Sequence, residues 1–159
     1  IKGSLEKLQK NIVVLDKIGD PGNLGTIIRV ADAAGFKDII LTKGSVDCYN
    51  EKVVRSSMGS ILNMNILYME EEELITFLKR EGYKIEVTAL DKDSVSYTEM
   101  KLTERNAIVF GSEGDGVSQN FLKMCDEKII IPIYGIAESL NVAMACGIIL
   151  YKTKEILGE

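Results

Sequence analysis

Histidine and tryptophan are both absent from the 159 residues. Without an imidazole the commonest general base is gone, Ser-His-Asp catalysis is excluded, and almost every ordinary zinc site loses its usual ligand. Chemistry here must rest on Arg, Lys, Glu, Ser, Asn or Tyr, or on a cofactor that brings the reactive group. The three cysteines, Cys48, Cys125 and Cys146, are odd in number and show no CxxC spacing. They read as buried free thiols in a reducing compartment, and no metal site is expected. No apolar run approaches the roughly 20 residues that a membrane span needs. No signal-peptide pattern opens the chain either, so a cytoplasmic protein without a membrane partner is expected.

What is present is ordinary in bulk and uneven in detail. Hydrophobic residues make up 46% and charged residues 27% of the chain, the composition of a globular domain. The net charge of −5 argues against a nonspecific grip on nucleic acid. Its distribution softens that objection: residues 1–60 carry a net +2, residues 61–127 a net −7, and residues 128–159 balance. Glu70 to Glu73 form one acidic block, read as the first turn of a solvated helix, where carboxylates favour the helix dipole. The chain starts at Ile1 without an initiator Met. This reads as a fragment or processed product, with residues 1–10 a linker or helix tail from a missing N-terminal region and 11–159 one domain.

Short β-branched runs alternate with helical periodicity, which predicts an α/β domain with a mainly parallel sheet. Six strands are expected at Asn11–Leu15, Asp38–Leu41, Asn65–Tyr68, Lys84–Ala89, Ala107–Phe110 and Lys128–Ile131. Helices are expected over Leu24–Gly35, Glu51–Met58, Glu70–Glu81, Gln119–Met124 and Leu140–Ile156, on both faces of the sheet. Leu90–Arg105 is polar and irregular, with room for one brief strand.

Three separated segments place small or polar residues where a strand ends, which is where open α/β sheets bind ligands. The first is Asp20-Pro21-Gly22-Asn23-Leu24-Gly25-Thr26-Ile27-Ile28-Arg29. Pro and Gly enforce a turn, Asn23 serves as an N-cap, and Leu24, Ile27, Ile28, Ala31 and Ala34 form a buried stripe. Arg29 falls off that stripe, and a plain surface pairing with Asp32 would account for it. The second is Phe110-Gly111-Ser112-Glu113-Gly114-Asp115-Gly116, whose glycines permit positive φ and close backbone approach. Its glycine order is not the dinucleotide fingerprint, and no Lys follows as a P-loop demands, so a nicotinamide or ATP enzyme is disfavoured. The third is Ile131-Pro132, then Ser139-Leu140-Asn141, with Ser139 an N-cap for a helix carrying Leu140, Ala143, Met144, Gly147, Ile148 and Tyr151 on one face. A core helix explains that face, and Ala143 and Gly147 leave room for close contact with a partner helix. Arg55 to Ser60 is a fourth polar cluster at a helix end.

Taken singly, each segment is explained by structure alone. In order, the three resemble motifs 1, 2 and 3 of the SpoU (TrmH) class of SPOUT RNA 2′-O-methyltransferases across nearly the whole chain. The resemblance implies a SPOUT fold with a deep C-terminal trefoil knot, a homodimer, and S-adenosylmethionine as cofactor. By position it implies cofactor contacts at Leu90, Gly111, Ile131 and Leu140, largely through backbone, with Ala89, Ile133 and Ala143 as neighbours. It assigns Arg29 the main catalytic role, as base or as stabiliser of alkoxide and phosphate, with Asn23, Glu113, Ser139 and Asn141 orienting the site. RNA contacts are expected at Arg29, Arg55 and Ser57. The activity implied is methyl transfer to a ribose 2′-hydroxyl of ribosomal RNA. Transfer RNA is the alternative target, and a non-catalytic RNA-binding module the alternative of another class.

Overall fold

The computed structural model describes residues 3–159, and its backbone follows the strand–helix alternation of the sequence. In chain order the elements are β1 (Asn11–Asp16), α1 (Pro21–Ala33), β2 (Asp38–Thr42), α2 (Glu51–Ser56), β3 (Asn65–Met69) and α3 (Glu71–Arg80). Then come β4 (Lys84–Thr88), β5 (Val95–Ser96), β6 (Asn106–Gly111), α4 (Gln119–Met124), β7 (Glu127–Ile130) and α5 (Val142–Leu157). Residues 3–10, expected to be a linker or helix tail, hold a single 3-10 turn at Leu5–Lys7 and are fastened to β3 by Ser4 and Asn65, which exchange two hydrogen bonds.

The sheet has seven strands in the order β3-β2-β1-β6-β4-β7-β5, all parallel. The seventh, β5, falls where one brief strand was allowed within Leu90–Arg105; at two residues it is too short to show an alternation of its own, so six were counted. Strand residues alternate between two cores: Val13, Leu15, Ile39 and Leu41 face α1 and α5, while Ile12, Val14, Ile40 and Val109 face α3 and α4. Helices therefore cover both faces, as a fully buried parallel sheet requires.

Several boundaries moved for local reasons. Asp20, not Asn23, caps α1: its carboxylate accepts the Asn23 N–H at 2.8 Å, and Pro21 opens the helix. Asn141, not Ser139, caps α5, accepting the N–H groups of Ala143 and Met144. Helix α2 stops at Ser56 because Met58 turns left-handed, at φ 52°. The acidic block behaves as expected, with Glu71, Glu72 and Glu73 in the first turn of α3.

The faces of α5 also differ from expectation. Its buried stripe is Val142, Ala143, Cys146, Ile149, Leu150 and Thr153. Met144, Ile148 and Tyr151, assigned above to a core face, are 63%, 37% and 54% exposed. An all-round apolar helix shows no preferred face in sequence, and packing against α1 chose the other one.

Glu86 is fully buried on β4, directly opposite Glu127 of β7, and Lys84 Nζ lies 3.0 Å from its Oε1. Burial, then hydrogen bonding to Glu127, raises the Glu86 carboxyl to about 8. Burial also pushes Glu127 up, but the proton on Glu86, the Lys101 N–H and Lys84 together draw it below its ordinary value. The sign of the pH effect follows. Between the ordinary 4.5 and about 8 the folded chain keeps a proton that the unfolded chain releases, so stability falls as pH rises through that window and levels above it. Glu86→Gln, which carries no titrating proton, should flatten this decline, as read from denaturant midpoints across the pH range.

Candidate active site

The carboxyl ends of β4, β6 and β7 and the first turns of α5 enclose a cleft of about 480 Å³. That volume lies within the roughly 300–1,000 Å³ of small-molecule sites. Thr88, Ala89, Leu90 and Asp91 form one wall, Phe110 to Val117 a second, and Ile129 to Ile131 the floor. Ile133 and Glu138 to Leu140 close the rim, and Val142, Ala145 and Ile149 of α5 face inward.

Six of the seven residues expected to hold a cofactor line this cleft: Leu90, Gly111, Ile131, Leu140, Ala89 and Ile133. Ala143 does not; it is buried in the core between α5 and its neighbours. The inward-facing residues on that helix are Val142, Ala145 and Ile149, which a start at Val142 rather than Leu140 explains. Thr88, Ile129, Ala145 and Ile149 were missed; Thr88 could have been found from its place at a strand's carboxyl end.

At the rim, three side chains from the three sequence segments meet. Glu113 Oε1 accepts hydrogen bonds from Asn23 Nδ2 at 3.3 Å, Asn141 Nδ2 at 2.9 Å and the Val142 N–H at 3.2 Å. Asn141 Nδ2 also donates to Asn23 Oδ1 at 3.0 Å. Asn23 is available for this because Asp20 performs the capping. Glu113 sits at the amino end of the 16-residue α5, where the helix dipole favours a carboxylate. The node thus ties the start of α1, the glycine loop and the start of α5 into one rigid point, with residues from 23 to 141 in contact. Ser139 lies exposed on the cleft rim, outside this network.

The glycine loop is shaped by steric need. A Cβ on Gly111 would lie 2.1 Å from the carbonyl carbon of Gly116 and 2.3 Å from Val117 N. The loop folds back on itself through the Gly116 N–H donating to the Ser112 carbonyl at 2.9 Å, with Gly116 at φ +67°. Gly25 serves packing instead: a Cβ there would lie 2.7 Å from the Val53 carbonyl of α2.

Arg29 stands apart from the cleft, exposed on α1. The surface pair with Asp32 is not formed, because Asp32 accepts hydrogen bonds from Ser60 Oγ at 2.8 Å and Asn63 Nδ2 at 2.7 Å. Those two bonds hold the Asp32 carboxyl below its usual range. Among the described residues the Arg29 guanidinium therefore has no carboxylate partner. Arg55 is exposed, with Glu51 one turn away at 3.5 Å. Ser57, expected on the RNA side, is fully buried, and its hydroxyl donates to the Val54 carbonyl at 2.8 Å. It has no surface with which to touch a nucleic acid.

Among the described residues no helix is long and apolar enough to cross a membrane, and no group of His, Cys, Asp or Glu could hold a metal ion. Cys48 and Cys146 are buried, and all three cysteines are free.

A model of the SpoU rRNA Methylase family matches residues 10–151. The chain is 39% identical over 142 residues to the 23S rRNA (guanosine(2553)-2′-O)-methyltransferase RlmP of Bacillus subtilis, covering 89% of this chain and 57% of that protein. It is 35% identical over 153 residues to the tRNA (guanosine(18)-2′-O)-methyltransferase of Aquifex aeolicus, covering 94% and 72%. The AdoMet-bound crystal structure of an rRNA methyltransferase from Sinorhizobium meliloti superposes with a TM-score of 0.90 at 34% identity, covering 95% of this chain and 58% of that one. The chain thus spans little more than half the length of the first and third of these proteins.

Proposed function

Because the chain belongs to the SpoU rRNA methylase family, we propose that it is an S-adenosylmethionine-dependent enzyme that methylates a ribose 2′-hydroxyl of RNA. The observation that carries this reading is the node of Asn23, Glu113 and Asn141 at the mouth of a nucleoside-sized cleft. The cleft fits the cofactor: apolar walls from Leu90, Ile131, Ile133 and Leu140 suit a purine and thioalkyl chain, and Gly111 lets backbone come close. Its rim carboxylates Asp91, Glu113, Asp115 and Glu138 suit a cation. S-Adenosylmethionine, when bound, supplies a methyl group on a positively charged sulfur.

The protein's own task is to hold the ribose in line with that methyl and to ease loss of the hydroxyl proton. Arg29 is the residue for this role. Its guanidinium, normally always protonated, binds the adjacent phosphate and stabilises the developing alkoxide. Asn23, Glu113 and Asn141 hold the mouth of the cleft in shape, with Ser139 beside them, and Arg55 adds a phosphate contact.

The active form in this reading is a homodimer. The exposed stripe of Met144, Ile148 and Tyr151 supplies the apolar interface, and Arg29, outside the lining of its own cleft, serves the cleft of the second copy. The order of strands supports a deep C-terminal trefoil knot of the SPOUT type: β7 lies between β4 and β5, which the loop 89–94 joins. Residues 11–159 are the catalytic domain, and the protein works in the cytoplasm.

Ribosomal RNA is the favoured target, following the B. subtilis relative; the A. aeolicus relative makes transfer RNA the second. Calorimetric titration with S-adenosylmethionine should give one saturable site per chain. Transfer of labelled methyl to total ribosomal RNA, with total transfer RNA in parallel, should show ribose modification of the former. Absence of binding heat would leave a non-catalytic RNA-binding module, and label on transfer RNA alone would reverse the target.

A further inference from the structure

Asp16, the last residue of β1, is buried at 1% exposure and belongs to none of the three segments that form the cleft mouth. Its Oδ2 accepts the Ser118 N–H at 2.7 Å, and its Oδ1 accepts the Thr42 hydroxyl at 2.9 Å. Thr42 Oγ1 in turn accepts the Lys17 N–H at 2.9 Å. Lys17 is left-handed at φ 54°, a conformation that a non-glycine residue holds only when its surroundings enforce it. The chain leaving that turn runs directly to Asp20 and the start of α1. One carboxyl group therefore fixes two things: through Ser118 it closes the far end of the glycine loop, and through Thr42 it sets the exit of β1.

The register makes this more than local packing. Asp16 lies opposite Gly111 in the parallel ladder of β1 and β6, so the loop leaves the sheet beside Asp16 and returns to it at Ser118. Between these anchors lies Glu113, which must reach the Asn23 and Asn141 amides. Both ends of the Asn23–Glu113 contact thus hang from Asp16.

We propose that Asp16 is a positioning residue for the cofactor cleft, holding the Glu113 loop and the α1 entrance at the spacing their contact requires. This inference rests on the cleft being the S-adenosylmethionine site. It differs from a purely stabilising role, in which loss of Asp16 would lower the melting temperature and leave the loop and the ligand affinity alone.

The test compares Asp16→Asn with Thr42→Val in the full chain. Asn keeps the shape but offers one acceptor oxygen where two donors converge. Val keeps the Thr shape and leaves the Asp16–Ser118 bond in place. Asp16→Asn should speed hydrogen exchange at the Asp115, Gly116 and Ser118 amides of the ligand-free protein. It should weaken S-adenosylmethionine binding by about tenfold or more, the scale of one buried hydrogen bond left unmade. Thr42→Val, which cuts only the branch to the α1 entrance, should lose melting temperature, keep the loop protection near wild type and weaken affinity by clearly less than Asp16→Asn. Should Asp16→Asn fail to fold, Ser118→Pro removes the same bond from the other side, since Ser118 already sits at φ −66°. Ser118→Ala, which loses only the cap on Phe121, is its control. Unchanged exchange and affinity in Asp16→Asn, or equal affinity losses in Asp16→Asn and Thr42→Val, would overturn the proposal. If the wild-type protein itself binds no S-adenosylmethionine, the functional reading falls, and the exchange data still decide whether Asp16 holds the loop.

Discussion

Arg29→Ala should cost methyl transfer about 100- to 1,000-fold, the scale of removing one donor to a developing oxyanion, while S-adenosylmethionine binds as before. The separation is geometric. Arg29 is exposed on α1, outside the cleft lining, so its loss leaves the cofactor walls intact. No carboxylate among the described residues holds it; Asp32 accepts from Ser60 and Asn63 instead. Truncation therefore breaks no ion pair, and the melting temperature should stay within a degree or two, as for an ordinary surface change. Single-turnover methylation and calorimetry on the same preparation check both halves. Turnover near wild type would remove Arg29 from the mechanism.

The same variant tests whether the guanidinium serves a second copy. If the protein forms the proposed dimer, Arg29→Ala mixed with Glu113→Ala gives heterodimers in which one site combines an intact Glu113 loop with an intact Arg29 from the other chain. The mixture should regain activity that neither variant has alone. If each Arg29 served its own cleft, mixing would restore nothing.

Gly111→Ala carries the second large effect, and it strikes the fold and the cleft together. The added methyl would sit 2.1 to 2.5 Å from three backbone atoms of Gly116 and Val117, none of which is the movable end of a side chain. The loop must be displaced bodily, costing about 2 kcal/mol or more as in other overpacked sites. Displacement carries Glu113 away from Asn23, Asn141 and the Val142 N–H, and it opens the wall of the cleft. A drop in denaturant midpoint and loss of S-adenosylmethionine binding heat should therefore appear together. Gly114→Ala is the contrast for the fold: no protein atom lies within 4 Å of its Cβ and its φ is not left-handed, so the denaturant midpoint should stay near wild type.

The sequence made the sheet and the cleft mouth readable to different degrees. Long β-branched strands such as β1 and β6 were visible because burial on both faces demands unbroken apolar runs. The two residues of β5 could be allowed for within 90–105 but not placed, because pairing with β7, not their own pattern, makes them a strand. Asn23, Glu113 and Asn141 were chosen from ordered motif resemblance, and their convergence depends on strand order, which no spacing encodes. Capping was misread twice for one reason: in Asp20–Asn23 and in Ser139–Asn141 two competent capping residues lie close together, and the geometry of the incoming loop selects between them. Ser57 shows the limit of polarity as a guide, since a serine that bonds its own helix backbone is as content inside as outside. The exposure of Met144, Ile148 and Tyr151 likewise depended on which side of α5 met α1.

The insertion of β7 between β4 and β5 also governs when the cleft is complete. A ribosome delivers the chain from its amino end, so β1 to β6 emerge with a slot open beside β4. Until residues 127–130 arrive, that bare strand edge is a surface for chaperones or for unwanted pairing. The floor at Ile129 to Ile131 comes with that strand, and the rim at Leu140 and the Asn141 amide follow it. A stalled or prematurely terminated product would carry Arg29 and Glu113 yet lack the floor and part of the rim of the cleft. Under the activity proposed above, incomplete copies of this protein would be silent toward RNA.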